Sequence, residues 1–126
     1  MLLSVSERTF TQEVFESNTP VLVHFWAPWC GVCRLIDPLL KQFEADWAGQ
    51  VKLVGINADS SLKLASTYKL STLPTLILFD RGKVLFRFEQ FQGREDLLRT
   101  LDAFMQSYQP SPQIQILQPQ SVAVRL

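Results

Sequence analysis

The sequence is poor in metal-binding side chains, because its 126 residues include only two cysteines and one histidine. A structural zinc site needs four ligands, so cysteine and histidine in one copy of this chain do not suffice for it. Positive and negative charges also balance, with 12 Lys and Arg against 12 Asp and Glu. That balance argues against nucleic acid or an anionic membrane as the main partner.

Long apolar runs are absent as well. No stretch approaches the roughly 18 apolar residues that cross a bilayer. The segment Met1–Leu3 ends at Ser4 without a basic stretch before it, unlike a secretory signal. We therefore expect a cytoplasmic, monomeric protein in a reducing compartment. In such a compartment a close cysteine pair is more often catalytic or metal-binding than structural.

The apolar segments predict strands that alternate with helices, in the order β-α-β-α-β-α-β-β-α. This order indicates a mixed sheet with helices on both faces. Asp80–Lys83 is predicted to be a hairpin turn. After it, Val84, Phe86 and Phe88 alternate with Leu85, Arg87 and Glu89, which are predicted to lie on the more solvent-exposed face. Val84, Phe86 and Phe88 are therefore predicted to share the other face. The other strands are predicted at Leu2–Val5, Val21–Trp26, Val51–Asn57 and Thr75–Phe79.

The helix that follows the second strand is strongly amphipathic. Its predicted polar face carries Arg34, Asp37, Lys41, Glu44 and Asp46. Its predicted core stripe consists of Leu35, Ile36, Leu39, Leu40, Phe43 and Trp47.

The composition changes after residue 108, where three prolines stand among five glutamines. This change predicts one domain over residues 1–108 and a Pro/Gln-rich extension over residues 109–126. Apolar residues in the extension leave its role open. A solvated tail, packing on the domain, pairing with a sheet edge and binding to another subunit are the alternatives.

Cys30 and Cys33 lie where a buried strand runs into a helix. Residues three apart at a helix start share one face, with Cβ atoms about 5–6 Å apart, so a disulfide forms with little movement. Cys30 lies at the helix N-terminus, where free amide groups and the helix dipole stabilise a thiolate. The spacing therefore predicts that Cys30 attacks a disulfide and Cys33 resolves the product. The alternatives are two core residues, half of a zinc site, or a metal or iron–sulfur centre bridging two chains.

The segment Phe25–Cys33 resembles the active-site signature of the thioredoxin family, including Trp29 before the first cysteine. Thr72–Thr75 resembles the segment that carries the cis-proline of that family, and Gly82 matches its hairpin glycine. The likeness runs from about Leu2 to Ser107.

The resemblance implies an α/β thioredoxin fold, with a central mixed five-stranded sheet in the order 1-3-2-4-5 and four flanking helices. It implies an oxidoreductase that reduces disulfides of target proteins through Cys30 and Cys33. The dithiol then needs no other cofactor, and a separate, unidentified thioredoxin reductase recharges it. The resemblance also implies a cis Leu73–Pro74 bond. It places Trp29 and the backbone beside Pro74 against the substrate. Separately, the apolar side chains of Trp29, Val32, Leu73 and Phe91 are predicted to form an apolar rim around Cys30, where a target docks. Gly31 is a further predicted substrate contact.

Four residues depart from the family pattern. Val32 replaces a proline between the cysteines, which predicts a less reducing potential. Gln90 replaces a glycine beside the substrate, which predicts a narrower or more polar groove. His24 stands in the place of a buried aspartate behind Cys33, and Gly55 in the place of the lysine that pairs with that aspartate.

Two interpretations of His24 follow from its position. As a neutral imidazole it accepts and returns the proton of Cys33 near neutral pH. Otherwise it is a buried, hydrogen-bonded strand residue whose pKa is lowered by desolvation. The four departures also support an alternative function, a thioredoxin-like binding module or holdase with weak or no reductase turnover.

Overall fold

The computed structural model describes residues 2–108, which form a five-stranded mixed sheet flanked by helices. Its strands are β1 (Leu3–Ser4), β2 (Val21–Trp26), β3 (Lys52–Asn57), β4 (Thr75–Asp80) and β5 (Lys83–Phe88). The order is β1-β3-β2-β4-β5. β3 is parallel to both β1 and β2, whereas β4 is antiparallel to β2 and β5. The predicted sheet order is confirmed.

β2 lies in the middle of the sheet, and this position explains its almost uninterrupted apolar sequence. A strand pairs with it on each side, and helices cover both faces, so its alternate side chains are all buried. Within β2 only Trp26 is partly exposed.

Helices cover both faces of the sheet. α1 (Gly31–Asp46) and α3 (Arg94–Ser107) lie on one face, and a π-helical turn (Thr11–Phe15) and α2 (Leu62–Thr67) lie on the other. Counting the π-helical turn, these are the four predicted helices, and a 3-10 turn (Ala58–Ser60) precedes α2. The core under α1 and α3 includes Leu22, Ile36, Leu40, Phe43, Leu53, Leu76, Leu97 and Leu101. The core on the opposite face includes Phe10, Val14, Val23, Phe25, Val54, Ile56, Ile77 and Phe79.

The β4–β5 pairing differs from the predicted alternation. Phe79 lies opposite Val84 and the register shifts next to it, so that Leu85 is an extra residue in β5. Phe86 and Phe88 pack against the core under α3 as predicted, whereas Val84 is exposed. The predicted common face was wrong for Val84, because a β-bulge reverses the side on which the following side chains lie.

The predicted apolar stripe of α1 divides into a buried and an exposed part. Ile36, Leu40 and Phe43 are buried. Leu35 is 74% exposed, and its predicted core position was wrong. Each helical residue is rotated by about 100° from the one before it, so Leu35 lies beside the buried stripe rather than on it. Leu35 shares this flank of the helix with Val32.

β1 is shorter than the sequence pattern predicts. β1 pairs with β3 over two residues only, rather than over Leu2–Val5. The predicted extension, residues 109–126, lies outside the described residues. In the part of the chain that the structure describes, no helix is long and apolar enough to cross a membrane.

Candidate active site

Cys30 and Cys33 lie at the amino end of α1 and are joined by a disulfide bond. Cys30 is the N-cap residue, and its Sγ accepts a hydrogen bond from the Cys33 amide at 3.1 Å. The two Cα atoms are 5.3 Å apart. Cys30 is 6% exposed and Cys33 is 2% exposed. Cys33 is therefore the less exposed of the two, although both cysteines are largely covered in the disulfide form.

Trp29 projects beside the cysteine pair, with 68% of its surface exposed. Its indole Nε1 donates a hydrogen bond to Oδ2 of Asp59 at 3.0 Å. Asn57 in turn accepts the Asp59 amide hydrogen at 2.9 Å, which forms the turn after β3. Asp59 is a site residue that the sequence did not reveal, although the segment Asn57–Asp59 signals a turn directly after a buried strand. Because β2 and β3 are parallel, their carboxyl ends adjoin and bring this turn to Trp29.

Pro74 lies at the same edge of the sheet. Thr75, the first residue of β4, pairs with Phe25 near the end of antiparallel β2. The Leu73–Pro74 peptide bond is cis, as the family resemblance implies. Pro74 is buried, and Leu73 is half-buried against the core that carries Phe79. Leu73 therefore contributes less to the exposed surface than the predicted apolar rim requires.

A shallow groove of about 400 Å³ begins beside the cysteine pair. Val32 and Leu35 supply its exposed apolar side chains, and half-buried Phe91 also lines it. Gly31 is exposed at the helix start, and Gln90 is exposed just before Phe91. Val32 and Phe91 thus belong to one surface, as the apolar rim predicts, and Leu35 extends it.

His24 is 2% exposed and faces α1, since it lies two residues after Leu22 on the same side of β2. Neither ring nitrogen has a hydrogen-bond partner among residues 2–108. Burial lowers the pKa of His24 from 6.5 to about 4, and the Asp37 carboxylate partly opposes this effect. The lowered pKa agrees with the interpretation of His24 as a buried strand residue, but the hydrogen bond of that interpretation is absent from the described residues.

Gly55 lies directly beside His24 in the β2–β3 register. A Cβ atom at Gly55 would stand 3.4 Å from Leu2 Cδ1 and 3.4 Å from Trp26 Nε1. Apolar and aromatic groups therefore occupy the neighbourhood in which the family pattern places a lysine.

A cleft of about 530 Å³ opens between α1 and the sheet, behind the cysteine pair. Cys33, His24 and Asp37 are among the residues that line it. The helical pattern predicts Asp37 on the solvent face, but its side chain is only 35% exposed. That prediction was incomplete, because Asp37 follows Cys33 by four residues and so lies on the same helix face. The remaining lining residues are Leu2, Ser4, Trp26, Arg34, Pro38 and Gly55.

Metal binding finds no support in the described side chains. Over residues 2–108, no group of three or more His, Cys, Asp and Glu residues is arranged to hold a metal ion. Both cysteines are engaged in the disulfide.

The sequence is similar to those of known proteins. The family model described as "Thioredoxin" matches residues 1–105. "Thioredoxin 1" of Synechococcus elongatus is 40% identical over 99 residues, which cover 79% of this chain and 92% of that protein. "Thioredoxin 1" of a Nostoc species is 43% identical over 79 residues, covering 63% of this chain and 74% of its own length. "Thioredoxin M4, chloroplastic" of Arabidopsis thaliana is 39% identical over 102 residues, covering 81% and 53% respectively.

The family match spans nearly all of the described domain, including the cysteine pair and the cis-proline segment. The sheet order and the disulfide at the start of α1 agree with it. The chain therefore belongs to the thioredoxin family of thiol–disulfide oxidoreductases, and it is a protein-disulfide reductase whose active-site pair is Cys30 and Cys33.

Proposed function

We propose that Cys30 is the attacking thiolate and Cys33 the resolving thiol in the reduction of disulfides in target proteins. The observation that carries this assignment is the position of Cys30 Sγ at the N-terminus of α1, where it accepts the Cys33 amide hydrogen. Free amide hydrogens and the helix dipole stabilise a thiolate at such a position. Cys33 lies one turn further into the helix and is less exposed.

The reaction proceeds in two exchanges. The Cys30 thiolate attacks one sulfur of the target disulfide, which forms a mixed disulfide and expels the other target sulfur as a thiolate. Cys33 then loses its proton and attacks Cys30 Sγ, which closes the Cys30–Cys33 disulfide and releases the second target thiol. Two electrons pass to the target. A separate reductase, not identified by this chain, restores the dithiol in the cytoplasm, where we propose that the protein acts.

The target polypeptide binds, in this proposal, across the surface around Cys30. Exposed Trp29 and Val32 offer apolar contacts, and Gly31 leaves the helix start open. The backbone at Leu73 and Pro74 lies at the same sheet edge and supplies the opposite side. Exposed Gln90 makes the nearby loop more polar than a glycine would.

His24 is the proton acceptor for Cys33 in this proposal. Both residues line the cleft behind the disulfide. Because the pKa of His24 is lowered to about 4 by burial, its imidazole is neutral near pH 7 and has a free lone pair. The absence of partners for its ring nitrogens in the described residues leaves that lone pair uncommitted.

Insulin reduction driven by dithiothreitol tests the proposal, because insulin chains precipitate once their disulfides are reduced. The unmodified protein is expected to shorten the lag before precipitation, and Cys30→Ser to give only the chemical background rate. In a separate experiment, reduced Cys33→Ser is mixed with insulin after dithiothreitol has been removed, and it is expected to accumulate a covalent adduct that added dithiothreitol releases. In that variant Cys30 still attacks but nothing resolves the mixed disulfide.

A folded wild-type protein without any acceleration would contradict the proposed reductase activity and favour a binding module instead. The exposed apolar side chains of Trp29 and Leu35 would then serve to hold unfolded chains. Circular dichroism on the same samples verifies the fold. Adduct formation by Cys30→Ser, but not by Cys33→Ser, would reverse the roles of the two cysteines.

A further inference from the structure

The cleft behind the disulfide brings together a thiol, an imidazole and a carboxylate from two elements. Cys33 and Asp37 lie one helical turn apart on the same face of α1. His24 reaches the cleft from β2. The three side chains line one cavity of about 530 Å³, which has room for water molecules.

His24 by itself is poorly suited to hold a proton. Its side chain is buried, and its ring nitrogens have no hydrogen-bond partner among the described residues. Desolvation therefore makes the imidazolium unfavourable, and the pKa of His24 falls to about 4. A proton taken from Cys33 requires a compensating negative charge near the ring.

Asp37 is the carboxylate that lines the cleft, and it raises the pKa of His24 against the effect of burial. Arg34 is the other charged residue in the lining, but its guanidinium donates to the Pro28 carbonyl oxygen. The neighbours of His24 on β3 and β4 are Gly55 and Leu76, which carry no charge. The lining residues from the β1 segment, Leu2 and Ser4, carry none either.

We propose that Asp37 is a positioning residue for His24, which stabilises the imidazolium formed when Cys33 gives up its proton. This inference rests on the proposed role of His24. The Cys33 proton moves to the imidazole while the Cys33 sulfur attacks Cys30 Sγ. The Cys30–Cys33 bond forms, the mixed disulfide breaks, and the target sulfur leaves as a thiolate. The imidazolium then returns its proton to that thiolate or to solvent.

The exposure of Asp37 supports the return of the proton from His24 to solvent. Its side chain is 35% exposed and lies 3.7 Å from Lys41 Nζ, so it extends from the cleft to the protein surface. His24, by contrast, is buried. The Asp37 carboxylate is therefore a solvent-accessible group in the same cleft, through which a proton can reach bulk water.

The single histidine of the chain allows a direct test by NMR. The imidazole signals of His24 are titrated in the full-length protein, reduced and oxidised, for wild type, Asp37→Asn and Asp46→Asn. Asp46 is a matched control because it is an exposed carboxylate on the same helix and does not line the cleft. Asp37→Asn is expected to lower the pKa of His24 by about 0.5–1 unit, and Asp46→Asn to leave it unchanged. An equal pKa in all three proteins would overturn the inference.

A kinetic test separates the two exchanges. Reduced protein is mixed with 5,5′-dithiobis(2-nitrobenzoate) in a stopped-flow instrument. The first release of thionitrobenzoate reports the attack by Cys30 and the second reports the attack by Cys33. This leaving thiol departs as a thiolate without needing a proton, so the second phase depends on deprotonation of Cys33. Asp37→Asn is expected to slow only the second phase, by about threefold to tenfold at neutral pH.

The pH profile of the second phase distinguishes the possible failures. The second phase is expected to slow in acid as His24 becomes protonated. Without the Asp37 charge the pKa of His24 is lower, so this slowing is expected at lower pH, and Asp37→Glu is expected to restore the wild-type profile. A second phase that His24→Leu leaves unchanged would reject the proposed role of His24 itself. If His24→Leu slows the second phase but Asp37→Asn and Asp46→Asn have the same second-phase rate, only the role of Asp37 would be rejected.

Discussion

His24 is a polar side chain in an apolar strand, and its surroundings decide its charge. Burial without a hydrogen-bond partner among the described residues favours the neutral imidazole. The folded state therefore lowers the pKa of this group below 6.5, whereas the unfolded chain leaves it near that value. A buried group with a lowered pKa makes the stability of the fold depend on pH.

His24→Leu is expected to reduce the loss of stability in acid. Below about pH 6.5 the unfolded wild-type chain takes up a proton at His24 that the folded state binds only near pH 4. This difference costs the wild type about 3 kcal/mol of unfolding free energy between these two pH values, and leucine removes the cost. Urea unfolding of the oxidised proteins at neutral pH and near pH 4 measures the effect.

At neutral pH the unfolding free energies of wild type and His24→Leu are expected to lie within about 1 kcal/mol of each other. The substitution there exchanges an unpartnered neutral ring for an apolar group of similar volume. They are expected to diverge as the pH falls. Stability curves that stay parallel from neutral pH to pH 4 would show that His24 titrates normally in the folded protein.

At the level of single elements, the β4–β5 hairpin shows how a local signal determines a turn. Arg81 has φ +53° and Gly82 has φ +86°, so both central residues lie in the left-handed region that a type I′ turn uses. The segment Asp80–Lys83 predicts this turn because glycine adopts that conformation without steric cost. Arg81 adopts it at a cost, which the neighbouring strands impose.

Gly82→Ala is therefore expected to lower the unfolding free energy by about 1 kcal/mol. A Cβ atom there would lie 3.8 Å from Phe15 Cγ, an ordinary contact, so the cost comes from the backbone conformation. Arg81→Asn is the matched variant and is expected to raise stability by a few tenths of a kcal/mol, because asparagine tolerates positive φ. Thermal and urea unfolding measure both. Equal stability of Gly82→Ala and wild type would contradict the left-handed geometry of the turn.

At the scale of the whole molecule, the sheet assembles the active site from distant segments. The ends of β2 and β3 and the start of β4 share one edge, which places Trp29, Asp59 and Pro74 around the cysteines. The groove that contains Leu35 continues from this edge along α1. The exposed apolar surface is thus continuous with the reactive disulfide.

Leu35→Ser is expected to weaken the reduction of protein substrates while leaving stability within about 0.5 kcal/mol, because the side chain is mostly exposed. The KM for insulin is expected to rise about threefold, which corresponds to the loss of one small apolar contact. The first-phase rate with 5,5′-dithiobis(2-nitrobenzoate) is expected to stay unchanged, since that small reagent does not fill the groove.

Leu62→Ser is the matched control for this prediction. Leu62 is also a mostly exposed leucine on a helix, but it does not line the groove. Its substitution is expected to leave the KM for insulin unchanged. Equal effects of the two substitutions would show that the groove is not a docking surface for targets.

The parts of the protein that sequence predicts well depend on contacts between near neighbours. Local spacing along the helix is enough to predict which of its side chains share a face. It correctly groups the buried residues Ile36, Leu40 and Phe43, and it brings Cys30 and Cys33 together. The predicted position of Leu35 failed although it belongs to the same helix. An apolar residue at the border of a helical stripe is buried or exposed according to what packs beside it.

Local periodicity and backbone preferences determined the strands, the helices, the hairpin turn and the disulfide-forming pair, because these features depend on residues a few positions apart. Only the tertiary structure decided the bulge at Leu85, the hydrogen bond from Trp29 to Asp59 and the placement of His24 and Asp37 in one cleft. Each of these features involves residues from different elements. Their geometry follows from strand register and helix placement, which no short segment of the chain specifies.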